Sequence, residues 1–211
     1  MGKFIRGFPT DDGLIAPSVD IVSMYIDQVS DKDVGISLAR RHGVRLCTSI
    51  EEALTLGTGS LAVDGVLSIG EHGQYPLDEI GRKLYPCGRL ALSPPASNCR
   101  AEGQPPALRV GRRRRHFLDQ ISAVMASSGR VVPVYSDKHL AHSWEDSLHI
   151  FTRMQSLQIP FMAGSSVPLF WRSPSYEPPL GEALETAVVL SYGGLEAYGY
   201  HGLVRPKTLK V

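Results

Sequence analysis

Apolar residues fall in short, β-branched runs separated by stretches of helical rhythm. The most informative run is Val131–Leu140 (VVPVYSDKHL), apolar in four of its first five positions, with Ser136 and Asp137 expected to end it as a turn. Ser143-Trp-Glu-Asp opens an amphipathic helix, and Ile159–Gly164 (IPFMAG) is a second short apolar run after it. Strand, charged tip, helix and strand make one βαβ unit. Asp137 and Lys138 stand at its rim, where ligands bind in open α/β sheets. On the Ser143 helix, two adjacent apolar rows are expected: Trp144, Leu148, Phe151 and Ile150, Met154, Leu157.

Upstream, Met1–Pro17 carries Gly, Pro and Asp punctuation and reads as a loop or frayed helix end. Val19–Ile26 reads as a buried strand ending at Asp27, followed by a helix from Ser30 to about His42, stopped by Gly43. A short strand near Val44–Cys47, a capping box at Ser49–Glu52, a helix ending by Gly57 and a strand at Val63–Ile69 complete the first half. This alternation implies an α/β fold with a Rossmann-like doubly wound parallel sheet. Helical rhythm returns at Phe117, Ile121, Val124 and Met125, and Glu185–Tyr192 reads as a strand of a second, truncated sheet.

The stretch 88–111 interrupts the pattern with two Pro-Pro pairs and no helical or strand period. It is expected to be a disordered insert, or else translated intron or shifted frame. The four arginines that follow, Arg112–Arg115, read either as a phosphate or nucleic-acid contact or as a solvated basic helix start.

Composition narrows the function classes. The chain has 211 residues and a formal net charge of +1, which argues against a dedicated nucleic-acid binder. No apolar run approaches the about 20 residues that span a bilayer, and MGKFIRGFPT lacks the apolar core of a signal peptide. The three cysteines, Cys47, Cys87 and Cys99, have no C-x-x-C spacing, consistent with a reducing, cytoplasmic setting.

Ala39–Val44, Thr48–Leu54, Val63–Ile69, Val132–Leu140 and Ile159–Gly164 occur in an order that resembles the glucose–fructose oxidoreductase / inositol dehydrogenase (Gfo/Idh/MocA) family. Gly2–Gly7, Ala62–Gly73 and Phe161–Pro168 look like an uncharacterised branch of it. The resemblance implies a nucleotide-binding domain over residues 1–164, incomplete at its start, and the truncated beginning of an α+β substrate and oligomerisation domain over 165–211. It implies NAD or NADP as cofactor and a sugar, polyol or related hydroxyl compound as substrate. A homo-oligomer through the second domain, when complete, follows from the same likeness. Asp137-Lys138-His139 occupies the place of the family's Glu-Lys-Pro signature, which gives Lys138 a catalytic role beside nicotinamide and substrate.

Asp27 is either an acceptor for ribose hydroxyls or a turn or capping aspartate. Glu71-His72-Gly73 resembles the family's loop past the nicotinamide ribose, and His72 either bonds ligand or satisfies a neighbouring backbone group. His201 matches, by region, a catalytic or substrate position of the second domain. No H-E-x-x-H or comparable spacing is present, so no metal is expected. The family's first strand and glycine-rich phosphate loop have no counterpart here, and the chain reads as a fragment. A non-catalytic Rossmann-like module that binds a ligand or partner, or an inert gene-model fragment, is the rival reading.

Overall fold

Val132 and Val134 turn inward beside Ser136, and the strand they define continues through Asp137 because parallel neighbours bond it on both edges. A computed structural model of the chain describes residues 2–10, 13–29, 33–70, 79, 84–86, 108–110, 113–141, 143–165, 185–186, 188–190 and 198–201. Its elements run α1 (Gly2–Arg6), β1 (Phe8–Thr10), β2 (Gly13–Ile15), β3 (Ser23–Tyr25), α2 (Gly35–Arg41), β4 (Arg45–Cys47) and α3 (Ile50–Thr55). They continue as β5 (Val66–Ser68), β6 (Leu84–Pro86), β7 (Leu108–Val110), α4 (Arg113–Ser128), β8 (Val134–Asp137), α5 (Trp144–Ser156) and β9 (Phe161–Gly164).

The class is mixed α/β with small parallel sheets. One sheet is β5-β8-β9, all parallel, with Ser68 opposite Ser136 and Ser136 opposite Ala163. The other is the parallel pair β3-β4, with Met24 opposite Leu46. Each parallel neighbour is reached through a helix, α2 between β3 and β4 and α5 between β8 and β9, as parallel pairing requires.

The main core lies under the three-stranded sheet. Leu118, Ile121 and Met125 of α4 meet Ile150 and Met154 of α5 and Val134 of β8. A smaller cluster of Met24, Ala39 and Val44 seats α2 against β3; at its centre Ala39 is fully covered.

 Ser49 caps α3 by accepting from the Glu52 amide at 3.0 Å. The Glu52 carboxylate reaches past it to the Thr48 amide at 2.8 Å and the Thr48 hydroxyl at 2.9 Å, so the expected box closes one residue further back. α3 ends on Leu56 in the left-handed region at φ 52°.

Several boundaries differ from the sequence reading. The first residues form α1 and the antiparallel β1–β2 hairpin rather than a loop. Gly7 carries the chain from α1 into β1: a Cβ there would meet the Ile15 carbonyl at 2.6 Å, and its φ is +99°. The expected strand Val19–Ile26 is three residues long, because Val19 and Val22 are exposed rather than inward-facing. Ser136 and Asp137 are strand, not turn, since Ser136 is fully buried and Asp137 pairs with Gly164. Leu108–Val110, within the expected insert, forms a strand antiparallel to Leu84–Pro86; the rest of 88–111 lies outside the described residues. Within the expected strand 185–192, Glu185, Thr186 and Val188–Leu190 are not in a strand, and Val188 and Leu190 are exposed. No helix among the described residues is long and apolar enough to cross a membrane.

Candidate functional site

The carboxyl end of β8 gathers the chemistry-bearing side chains. Alternation along β8 buries Val134 and Ser136 and leaves Tyr135 and Asp137 together on its other face, half-buried. The Tyr135 hydroxyl donates to the Gly164 carbonyl at 3.0 Å, which ties the end of β8 to the end of β9. The Asp137 carboxylate lies 3.4 Å from the same hydroxyl. Burial, followed by the Asp137 charge, pushes the Tyr135 phenol above its ordinary range.

Lys138 follows directly and is 6% exposed. A lysine so deeply covered is uncommon, because its charge must be compensated locally. Its peptide bond to His139 is cis. Arg114, 8% exposed in the first turn of α4, donates to the Asp137 carbonyl and so fixes the backbone just before Lys138. Arg115 pairs with Asp146 of α5 at 2.7 Å and with Asp119 at 3.5 Å. The arginine run is therefore not a solvated helix start at these two positions: one guanidinium closes the rim, and the next joins α4 to α5.

His201 belongs to the same edge. Its Nδ1 lies 2.5 Å from the Ser165 hydroxyl, one residue beyond β9, while the neighbouring Tyr200 ring stands 6.3 Å from His139. Contacts thus link Asp137 to His201 through Tyr135, Gly164 and Ser165, and Lys138 follows Asp137 directly in the chain. Asp27 is not part of that group. It lies exposed beyond β3, accepting from the Tyr25 hydroxyl at 3.0 Å. Phe117 of α4 lies between the ends of β3 and β5: its ring meets Tyr25 edge-on at 6.3 Å and passes close to Gly70 beyond β5. Glu71 and His72 lie outside the described residues.

Tyr135 and Ser165 escaped the sequence reading, and Arg114 was read only as one of the run Arg112–Arg115, without its contact to β8. Tyr135 carried a usable signal, since it is two residues from Asp137 and a strand places such residues on one face. Arg114 and Ser165 carried none, because their partners are distant in sequence.

An exposed aspartate just past a parallel strand suits the hydroxyls of an adenosine ribose, and Asp27 meets that description. The pyrophosphate part of a dinucleotide finds no comparable cradle among the described residues. Gly57-Thr-Gly59-Ser-Leu-Ala62 has suggestive glycine spacing, but it follows α3 rather than a strand and opens no helix. The described residues therefore fit the ribose of a dinucleotide and not its pyrophosphate. No group of three or more His, Cys, Asp or Glu side chains placed to hold a metal ion occurs among the described residues. No family model, curated protein or solved structure matches the chain.

Proposed function

We propose that the chain is a Rossmann-like oxidoreductase module of the glucose–fructose oxidoreductase / inositol dehydrogenase type, whose β8–β9 rim binds a sugar, polyol or related hydroxyl compound. The observation that carries this reading is the Asp137-Lys138 pair at the carboxyl end of the central parallel strand, with His201 held by Ser165 at the adjoining strand end. A lysine ammonium there can donate to a substrate hydroxyl and stabilise negative charge developing on its oxygen. The His201 imidazole can accept or return a proton. Asp27 would take the ribose of NAD in preference to NADP, because its charge opposes a 2′-phosphate.

Two features of the architecture support the sheet assignment. All five strands of the two parallel groups run parallel to their bonded neighbours, and the helical connections are those of βαβ units. A single extended segment between β3 and β5 would join them in the order β4-β3-x-β5-β8-β9, where x is that segment. The same position in a doubly wound sheet supplies the phosphate-binding turn. The described residues supply no such turn, so weak dinucleotide binding and undetectable turnover are the outcomes expected of residues 1–211.

The rival, a non-catalytic ligand-binding module, draws on one observation: among the described residues no strand-to-helix turn carries the glycine-rich phosphate loop. Calorimetric titration with NAD and NADH, alone and with a panel of polyols, separates the two. Weak NADH binding reduced by Asp27→Ala supports the oxidoreductase reading. Binding of a polyol with no response to either nucleotide supports the rival.

A further inference from the structure

Ser68 closes β5 and is 7% exposed, yet among the described residues its hydroxyl has no hydrogen-bond partner. Burying a hydroxyl unpaired is costly, and a group left so calls for a reason. Its surroundings supply one. Val66 and Val134 pack into the core with Leu118 and Ile121 of α4, and two residues further along the same face Ser68 and Ser136 stand side by side. Arg114, in the first turn of α4, lies over this end of the sheet. Its guanidinium donates to the Asp137 carbonyl, and a Cβ at Gly70 would lie 3.9 Å from its Cγ.

We propose that Ser68, Arg114 and the first turn of α4 seat an oxyanion, so that the hydroxyl compound bound at the rim is an acidic one, carrying a carboxylate or a phosphate. This rests on the reading of the β8–β9 rim as the site of a hydroxyl substrate. A helix start presents amide donors and the positive end of its dipole, which favours acidic residues there. The first turn of α4 has none and carries arginines instead, an arrangement that disfavours the free helix and favours a bound anion. Arg115 is turned towards Asp119 and Asp146, whereas Arg114 stays at the strand ends, 8% exposed. Its charge reaches the rim as well: burial and Asp137 push the Tyr135 phenol up, and Arg114 pulls against them. An oxyanion held there accepts from the Ser68 hydroxyl and interacts with a guanidinium, the stronger class of hydrogen bond. The Asp137 carbonyl that Arg114 holds directly precedes Lys138, so the acidic end of the ligand sits beside the group proposed to act on its hydroxyl.

Amide-shift titrations of the nitrogen-15-labelled 211-residue chain, at constant ionic strength, test this with gluconate, a sorbitol phosphate, neutral sorbitol, inorganic phosphate and ADP. Gluconate and the sorbitol phosphate should shift Ser68, Gly70 and Arg114 and bind about tenfold or more tighter than sorbitol, the factor for one hydrogen bond to a charged group. Ser68→Ala should weaken both acids by roughly three- to tenfold and leave sorbitol unchanged. It should melt at the parent's temperature or above it, because it removes an unpaired hydroxyl. Arg114→Met should remove the preference for the acids. Gluconate binding no tighter than sorbitol overturns the acidic substrate and leaves the polyol reading in place. A lower melting temperature for Ser68→Ala makes the hydroxyl structural and overturns the seat. Shifts at Ser68 with ADP but with neither acid assign the anion to the nucleotide and overturn the proposal too. Shifts at Ser68 with inorganic phosphate, and with none of the hydroxyl compounds, keep the seat and remove the polyol reading instead.

Discussion

Replacing Asp146 with alanine tests whether α4 and α5 are joined as described. Asp146 is 3% exposed, and its carboxylate accepts from Arg115 at 2.7 Å. A hydrogen bond between charged groups contributes about 1.5–3 kcal/mol. Losing the acidic side chain in the first turn of α5 costs a further ~0.3–1 kcal/mol through the helix dipole. Two effects act in the opposite direction. Alanine is the better helix former by about 0.5 kcal/mol. Arg115 is 29% exposed at its side chain and still has Asp119 at 3.5 Å, so the variant does not strand a buried cation. The Ser143 cap survives, since it accepts from the backbone amide of residue 146 rather than from its side chain. The net loss is about 2 kcal/mol, less than the about 3–5 kcal/mol for orphaning a fully buried charge. Urea unfolding followed by circular dichroism should show the midpoint falling by about 1 M, for a slope near 2 kcal/mol per molar. A double-mutant cycle with Arg115→Ala should return a coupling of at least about 1 kcal/mol. A midpoint shift under about 0.2 M, or a coupling near zero, would refute the reasoning.

Three further outcomes follow from the rim. Burial and the Asp137 charge raise the Tyr135 pKa above 10.0, so the native state holds the phenolic proton more tightly than the unfolded chain. That stability is fully present below pH 10.0 and is lost as pH rises through the folded value, so the parent should lose stability more steeply in alkali than Tyr135→Phe; equal slopes in alkaline unfolding curves would contradict it. Ser165→Ala should change the environment of His201 Nδ1, 2.5 Å from the hydroxyl, visible as a shift in its nitrogen-15 resonance; an unmoved resonance would detach His201 from β9. In an assembled form with turnover, Lys138→Ala should lower kcat by about 100-fold or more, as for removal of a group acting on charge in the transition state. Unchanged kcat with a lower Tm would make Lys138 a structural residue.

The parts of the fold that were legible in sequence are those fixed by local patterns. The Ser49 and Ser143 caps were readable from an exposed amide's need for an acceptor, and both hydroxyls accept as the spacing requires, at 3.0 and 3.1 Å. The α5 rows were legible as rows, but which one faces the core is a tertiary matter, decided by where Leu118 and Met125 stand. Strand ends were less readable. Ser136 has turn chemistry, yet bonded neighbours on both sides of β8 hold it in the sheet. Leu108–Val110 was hidden by its flanking prolines, because a three-residue strand carries no measurable period. At the site, Asp137 and Lys138 followed from their place after an apolar run. The part played by Arg114 rests on a contact spanning β8 and α4, which no local pattern encodes.

Ligand contact is proposed at the strand ends of β8 and β9, with Asp27 standing apart at the end of β3 as the ribose acceptor. Titration of the nitrogen-15-labelled chain with NADH, followed by amide chemical shifts, addresses it directly and registers even weak binding. Progressive shifts are expected at Asp27, Gly70, Asp137–His139 and Ser165, saturating only in the millimolar range. Shifts confined to other surfaces, or none at these positions up to about 10 mM NADH, where binding weaker than about −3 kcal/mol goes undetected, would contradict it.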